Sequence, residues 1–117
     1  MKRCLIYTDD QTFKINAYIA DSFMTRFKGL MFKKKMDIEE GLLLNKCSSI
    51  HCMFMKFTID VIYLNDEYEV VDIETVKPYR LGKINIKGCK HTLEVNENVA
   101  YSLKIGTKLN MKEQENG

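Results

Sequence analysis

The nine residues "TFKINAYIA", 12–20, alternate along their length. Phe13, Ile15, Ala17 and Ile19 fall on one side of an extended chain, and Lys14, Asn16 and Tyr18 on the other. Successive side chains of a strand point to opposite faces, whereas a helix returns to the same face every 3.6 residues. The segment is therefore read as a half-buried strand. A single strand leaves its backbone donors and acceptors unpaired, so it demands neighbours. "RCLIY", 3–7, supplies one across the turn-forming "TDDQ", and the two read as a hairpin.

The same pattern recurs downstream. "GLLLNK" is a short apolar run suited to a buried strand. "VIYL" and "EVVDIETV" flank the turn "NDE" as a second hairpin. "KINIK", 83–87, alternates until Gly88 breaks it, "KHTLEV" follows, and "TKLNM" can return as a last strand. Two stretches change period. In residues 22–28, Asp21 or Ser22 can cap, Phe23 and Phe27 stack four apart, and Gly29 can end the helix. In "NENVAYSLKIG", Asn96 is placed to cap, Val99 and Leu103 share a face, and Gly106 closes. Turn signals recur roughly every ten residues. The expectation is a mainly β (α+β) fold: a compact, strongly bent sheet or small barrel of about seven or eight short strands, with two short helices.

A chain of 117 residues is long enough for one modest core. A single globular domain over 1–111 is expected, with "KEQENG", 112–117, too polar to bury and expected to fray. The 18 basic residues nearly balance 16 acidic ones, for a net charge of +2, so no field for nucleic acid is expected. No apolar run approaches the roughly 18 residues that cross a bilayer, so no transmembrane segment is expected. After the basic start only Cys4 to Tyr7 are apolar, short of the roughly 7 to 15 residues of a secretory signal, which points to a cytoplasmic chain. Cys4, Cys47, Cys52 and Cys89 lack disulfide-scaffold spacing and are expected as thiols.

Residues 49–60, "SIHCMFMKFTID", are the chemically richest stretch. As one strand, Ile50, Cys52, Phe54 and Lys56 share one face, and His51, Met53, Met55 and Phe57 the other. Both faces are mainly apolar, so a central strand covered on both sides is expected. A bend at Thr58–Ile59 would bring Asp60 towards His51. A carboxylate beside an imidazole serves catalysis, but it serves architecture as often. The Met and Phe side chains suit an adaptable pocket, or plain core. Lys33, Lys34 and Lys35 read most simply as a solvated turn.

Cys47, His51, Cys52, Cys89 and His91 raise a zinc reading, since 47 and 51 share a strand face, as do 89 and 91. Neither pair has knuckle spacing, and no metal or other intrinsic cofactor is expected. A cysteine nucleophile served by His51 is weakened because Cys52, its neighbour, points the opposite way in a strand. No phosphate loop, nucleophile elbow or dinucleotide fingerprint is present.

Taken in order, "ADSFMTRFKGLMF", "EEGLLL", "SIHCMFMKFTIDVIYLNDEYEVVDI", "VKPYRL" and "GCKHTLEVNENVAYSLKIGTKLNM" resemble the domain-of-unknown-function family 192, from about Ile19 to Met111. Its central signature has a His or aromatic residue, a Met followed by a basic or polar residue, then Pro-Ile-Asp or Pro-Leu-Asp. Here these positions are His51, Met55, Lys56, Thr58, Ile59 and Asp60. Thr58 stands in place of the proline, which removes its rigid φ constraint. Thr25 precedes Arg26 where relatives often have an acidic residue. The resemblance implies a compact, mostly β domain and no assigned activity; many relatives carry an N-terminal signal.

Three functions follow as alternatives. The first is a non-catalytic module binding an unidentified small molecule or protein through Arg26, Met31, His51, Met55, Lys56, Asp60 and Arg80. The second is a hydrolase-like enzyme using His51 and Asp60. The third is a structural or assembly protein in which these residues only hold the sheet together.

Overall fold

The computed structural model describes residues 2–20, 38–44, 57–78 and 86–114. Seven strands form one sheet: β1 (Lys2–Tyr7), β2 (Lys14–Ala20), β3 (Glu40–Leu44), β4 (Ile59–Leu64), β5 (Val70–Val76), β6 (His91–Asn96) and β7 (Asn110–Gln114), in the order β5-β4-β6-β3-β2-β1-β7. All neighbours are antiparallel except β2 and β3.

The expected first hairpin forms, with Cys4 opposite Ala17 and Ile6 opposite Ile15. β2 starts at Lys14, two residues later than expected. Asp10 Oδ1 accepts bonds from the Thr12 N–H and from the Thr8 and Thr12 hydroxyls, so the turn extends to Thr12. These donors hold the Asp10 carboxyl below its usual range, the Thr12 N–H most of all. The second hairpin is also present. The Asn65 side chain accepts the N–H groups of Glu67 and Glu69, which lets Tyr68 hold a left-handed φ of 61°. A bulge at Tyr63/Leu64 shifts the register between β4 and β5.

The two faces of the sheet bury separate clusters. One, here called the inner face, gathers Phe13, Ile15, Ala17 and Ile19 with residues such as Ile6, Leu43, Ile62, Leu64, Leu93 and Leu109. The alternation of β2 is therefore the inner wall of the core. The outer face gathers Leu42, Leu44, Ile59, Val61, Tyr63, Val76 and Cys89. β4 is buried at every position, as a strand covered on both sides must be. Each large apolar side chain so buried contributes roughly 1.5–3 kcal/mol.

The sheet bends until its edges meet at one end without closing. The Val70 N–H donates to Thr107 O (2.9 Å), Gly106 N–H to Val70 O (2.7 Å) and Leu109 N–H to Tyr68 O (3.0 Å). The remaining lengths of β5 and β7 pair only with β4 and β1 among the described strands.

The helix expectation is corrected in part. Only a 3₁₀ turn, Val99–Ser102, is present among the described residues. Asn98, not Asn96, precedes it, in a left-handed conformation and with no side-chain cap. Leu103 is already extended, because it and Val99 pack on the inner core. Gly106 does take a positive φ of 94°, as a terminating glycine should. The expected helix over 22–28 lies outside the described residues, as do most of "KINIK" and the segment 49–56. β7 pairs with β1 as far as Gln114, into the stretch expected to fray, because backbone pairing needs no buried side chain. No helix among the described residues is long and apolar enough to cross a membrane.

Candidate functional site

Of the seven residues expected to form a site, Asp60 alone is described; Arg26, Met31, His51, Met55, Lys56 and Arg80 lie outside the described residues. The chain bends at Phe57, and β4 begins at Ile59. Asp60 is the second residue of β4 and is 5% exposed. It alternates with Ile59 and Val61 of the outer cluster, so its carboxylate lies on the inner side. There Thr75, directly opposite on β5, donates its hydroxyl to Oδ1 at 2.8 Å, and the Ala100 N–H donates to Oδ2 at 3.2 Å. Asp60 thus supplies, from another strand, the cap that Asn98 does not give the 3₁₀ turn.

Cys89 and His91 do not share a face, contrary to the spacing argument. Cys89 precedes β6, where strand alternation does not apply, and belongs to the outer cluster. The His91 ring stacks on Tyr68 at 4.5 Å, and Tyr68 packs on the inner cluster. The Cys89 thiol donates to the His91 carbonyl oxygen (3.3 Å). Among the described residues no three of His, Cys, Asp and Glu stand together as metal ligands. Cys4 is a buried free thiol. Burial, and secondarily Glu113 opposite it, pushes the Cys4 thiol up to about 11, far from an activated nucleophile.

A second polar group lies on the outer face, and the sequence reading did not single it out. The register sets Glu94 of β6 between Leu42 of β3 and Val61 of β4, and Glu74 of β5 on the far side of Val61. In the adjacent row Thr92 lies between Leu44 and Tyr63, with Asp72 beyond. The Tyr63 hydroxyl donates to Glu74 Oε2 at 2.5 Å. Glu94 is 5% exposed, and no hydrogen bond or ion pair to it occurs among the described residues. Burial alone pushes its carboxyl up to about 8. "KHTLEV" signals this in retrospect, since Leu93 and Val95 are inner-core residues and Glu94 must face the other way, but only the sheet order shows that this other face is also buried.

The arrangement sets carboxyl groups and a phenol within an apolar surface. Ionised, Glu94 would accept hydrogen bonds or hold a cation; protonated, it would donate one.

The chain matches domain-of-unknown-function family 192, DUF192, described as "Uncharacterized ACR", over residues 5–111. A UPF0127 protein of Pyrococcus furiosus is 33% identical over 111 residues, covering 87% of this chain and 91% of that one. A UPF0127 protein of Pyrococcus horikoshii is 46% identical over 66 residues, 54% of this chain and 57% of that one. A crystal structure of a protein of unknown function from Novosphingobium aromaticivorans superposes with a TM-score of 0.78 at 19% identity, over 92% of this chain and 83% of its own, a likeness of fold. The chain therefore belongs to the uncharacterised DUF192 family, whose members include the UPF0127 proteins.

Proposed function

We propose that this chain is a small, non-catalytic binding module whose ligand site is built around Glu94, on the outer side of the sheet between β3 and β4. What supports the reading most is composition by position. Leu42, Leu44 and Val61 are buried around Thr92, Glu94 and the Tyr63–Glu74 pair. Ligand sites share this make-up: mostly apolar walls with a few placed polar groups. A sheet face that served packing alone would gain nothing from a carboxyl whose burial is costly.

The hydrolase alternative draws no support from Asp60. Each of its oxygens already accepts a hydrogen bond, and it lies on the opposite side of the sheet from Glu94. For that residue an architectural role is favoured, as the anchor joining β4, β5 and the 3₁₀ turn.

Amide NMR of the labelled chain, titrated with a fragment mixture of cations, anions and neutral aromatics, tests the proposal. The expected result is that at least one fragment shifts residues 61–63 and 92–94 and spares the turn at 9–12. Silence of those six amides towards every fragment overturns it.

A further inference from the structure

We infer that the open cleft beside β1, β2 and the start of β3 is a second ligand site, apart from Glu94, and that it takes a free aliphatic amino acid as its zwitterion. The carboxylate meets Arg3 and the ammonium meets the Glu39–Glu40 rim.

The register builds this cleft. Arg3 alternates with Cys4 of the inner cluster, so it faces the outer side, directly opposite Tyr18 of β2. Asn16 is two residues along from Tyr18 on the same side, opposite Glu40 of β3. The Asn16 N–H donates to the Glu39 carbonyl oxygen at 2.8 Å, which fixes the chain entering β3 against β2. Together Arg3, Asn16, Ile38, Glu39 and Glu40 line a cleft of about 470 Å³, within the roughly 300–1,000 Å³ of small-molecule sites. The outer side is open here: Arg3, Asn16 and Glu40 are half-buried, Glu39 is exposed and Ile38 is 68% exposed.

Arg3 carries the argument for a ligand. Its guanidinium lies over the Tyr18 ring at 5.2 Å, and its buried Nε has no hydrogen-bond partner. A buried donor left unmade is costly, and a carboxylate satisfies a guanidinium with two parallel bonds. An anion alone would enter beside the acidic Glu39 and Glu40, and a cation alone would enter beside Arg3. A ligand carrying both charges is matched at both ends, and like-charge contact rejects the rest. Ile38 at the rim offers apolar surface to an aliphatic side chain. The Arg3 end should supply most of the affinity, because Glu39 faces water and its attraction is screened.

The probe is L-leucine. Its controls are 4-methylpentanoate, which lacks the amine, and 3-methylbutylamine, which lacks the carboxylate. Each is titrated near neutral pH into the full chain, Arg3→Gln, Arg3→Lys and Glu39→Gln, and followed by amide NMR at residues 3, 16 and 38–40. A thermal melt verifies folding; Arg3→Lys, which keeps the charge but loses the fork, serves where Arg3→Gln does not fold. The expected result is saturable binding of leucine, tighter than either control. Arg3→Gln should weaken it about tenfold or more, Arg3→Lys about threefold, and Glu39→Gln about twofold. Leucine binding no tighter than 4-methylpentanoate or 3-methylbutylamine overturns the assignment, as does leucine affinity unchanged by both Arg3 variants. Silence of residues 3, 16 and 38–40 towards leucine also overturns it, and shifts confined to 61–63 and 92–94 would do so while leaving the Glu94 site standing.

Discussion

Asp60 and Ala100 are forty residues apart in the chain, yet the Ala100 N–H donates to the Asp60 carboxylate at 3.2 Å. That one bond joins β4, next to the edge strand β5, to the 3₁₀ turn leading towards β7. With the Thr75 hydroxyl on the other oxygen, Asp60 is a junction between β4, β5 and this turn. Replacing it by Ala leaves the Ala100 N–H buried without an acceptor. Asp60→Ala is expected to cost about 3 kcal/mol in urea unfolding, and Thr75→Val about 1 kcal/mol. The double variant should cost less than the two single costs added, because both remove parts of one network.

Glu94 is expected to make stability fall with pH between its two carboxyl values. Its folded-state value, about 8, lies above the ordinary carboxyl value of 4.5, so between these limits the native state binds more protons than the unfolded chain. The contribution of Glu94 to stability is fully present below about pH 4.5 and is lost as pH rises through about 8. The expected loss is a few kcal/mol at most, since the buried site can relax or admit water. Glu94→Gln should flatten this fall and be the more stable protein at pH 8. Equal slopes for both proteins in denaturation between pH 5 and 8.5 would contradict this.

Gly41 lies where three strands crowd. A Cβ there would stand 2.8 Å from Ile15 Cδ1, 3.1 Å from the Glu94 carbonyl oxygen and 3.3 Å from Val95 Cγ1. The Ile15 methyl can swing away; the backbone oxygen cannot without disturbing the β3–β6 pairing. Gly41→Ala is expected to destabilise by roughly 1–3 kcal/mol, despite the usual gain from replacing a strand glycine. Thermal unfolding by circular dichroism measures it.

Cys4 should behave as a small hydrophobic residue. With its thiol pushed up to about 11, roughly a thousandth is ionised at pH 8. Iodoacetamide treatment of the folded protein at pH 8, followed by peptide mass mapping, should leave Cys4 unmodified, and denaturant should expose it. Labelling of Cys4 at the rate of a free thiol would show that β1 opens readily.

Much of the architecture can be read along the chain. The alternation through Phe13, Ile15, Ala17 and Ile19 is a local pattern, and all four residues line the inner core. "TDDQ" and "NDE" likewise mark hairpins through local turn chemistry, and the mainly β class follows from their recurrence. The spacing of "NENVAYSLKIG" places Val99 and Leu103 on the core and Gly106 at a turn, but implies a longer helix than the 3₁₀ turn that forms, since tertiary packing makes Leu103 extended.

The candidate site was the least legible part. Asp60 stood out in its motif, yet neither Thr75 nor Ala100 could be named as its partner, because both bonds depend on how distant segments meet. Glu94 was one charged residue in an alternating strand, indistinguishable from a solvated one. Sequence alone determined the two hairpins with their turns and the inner side of β2, since these rest on periods of two and on local turn propensity. Strand order, and with it the burial of a second face around Glu94, was decided only by the tertiary structure, because non-local pairing leaves no periodic trace in the chain.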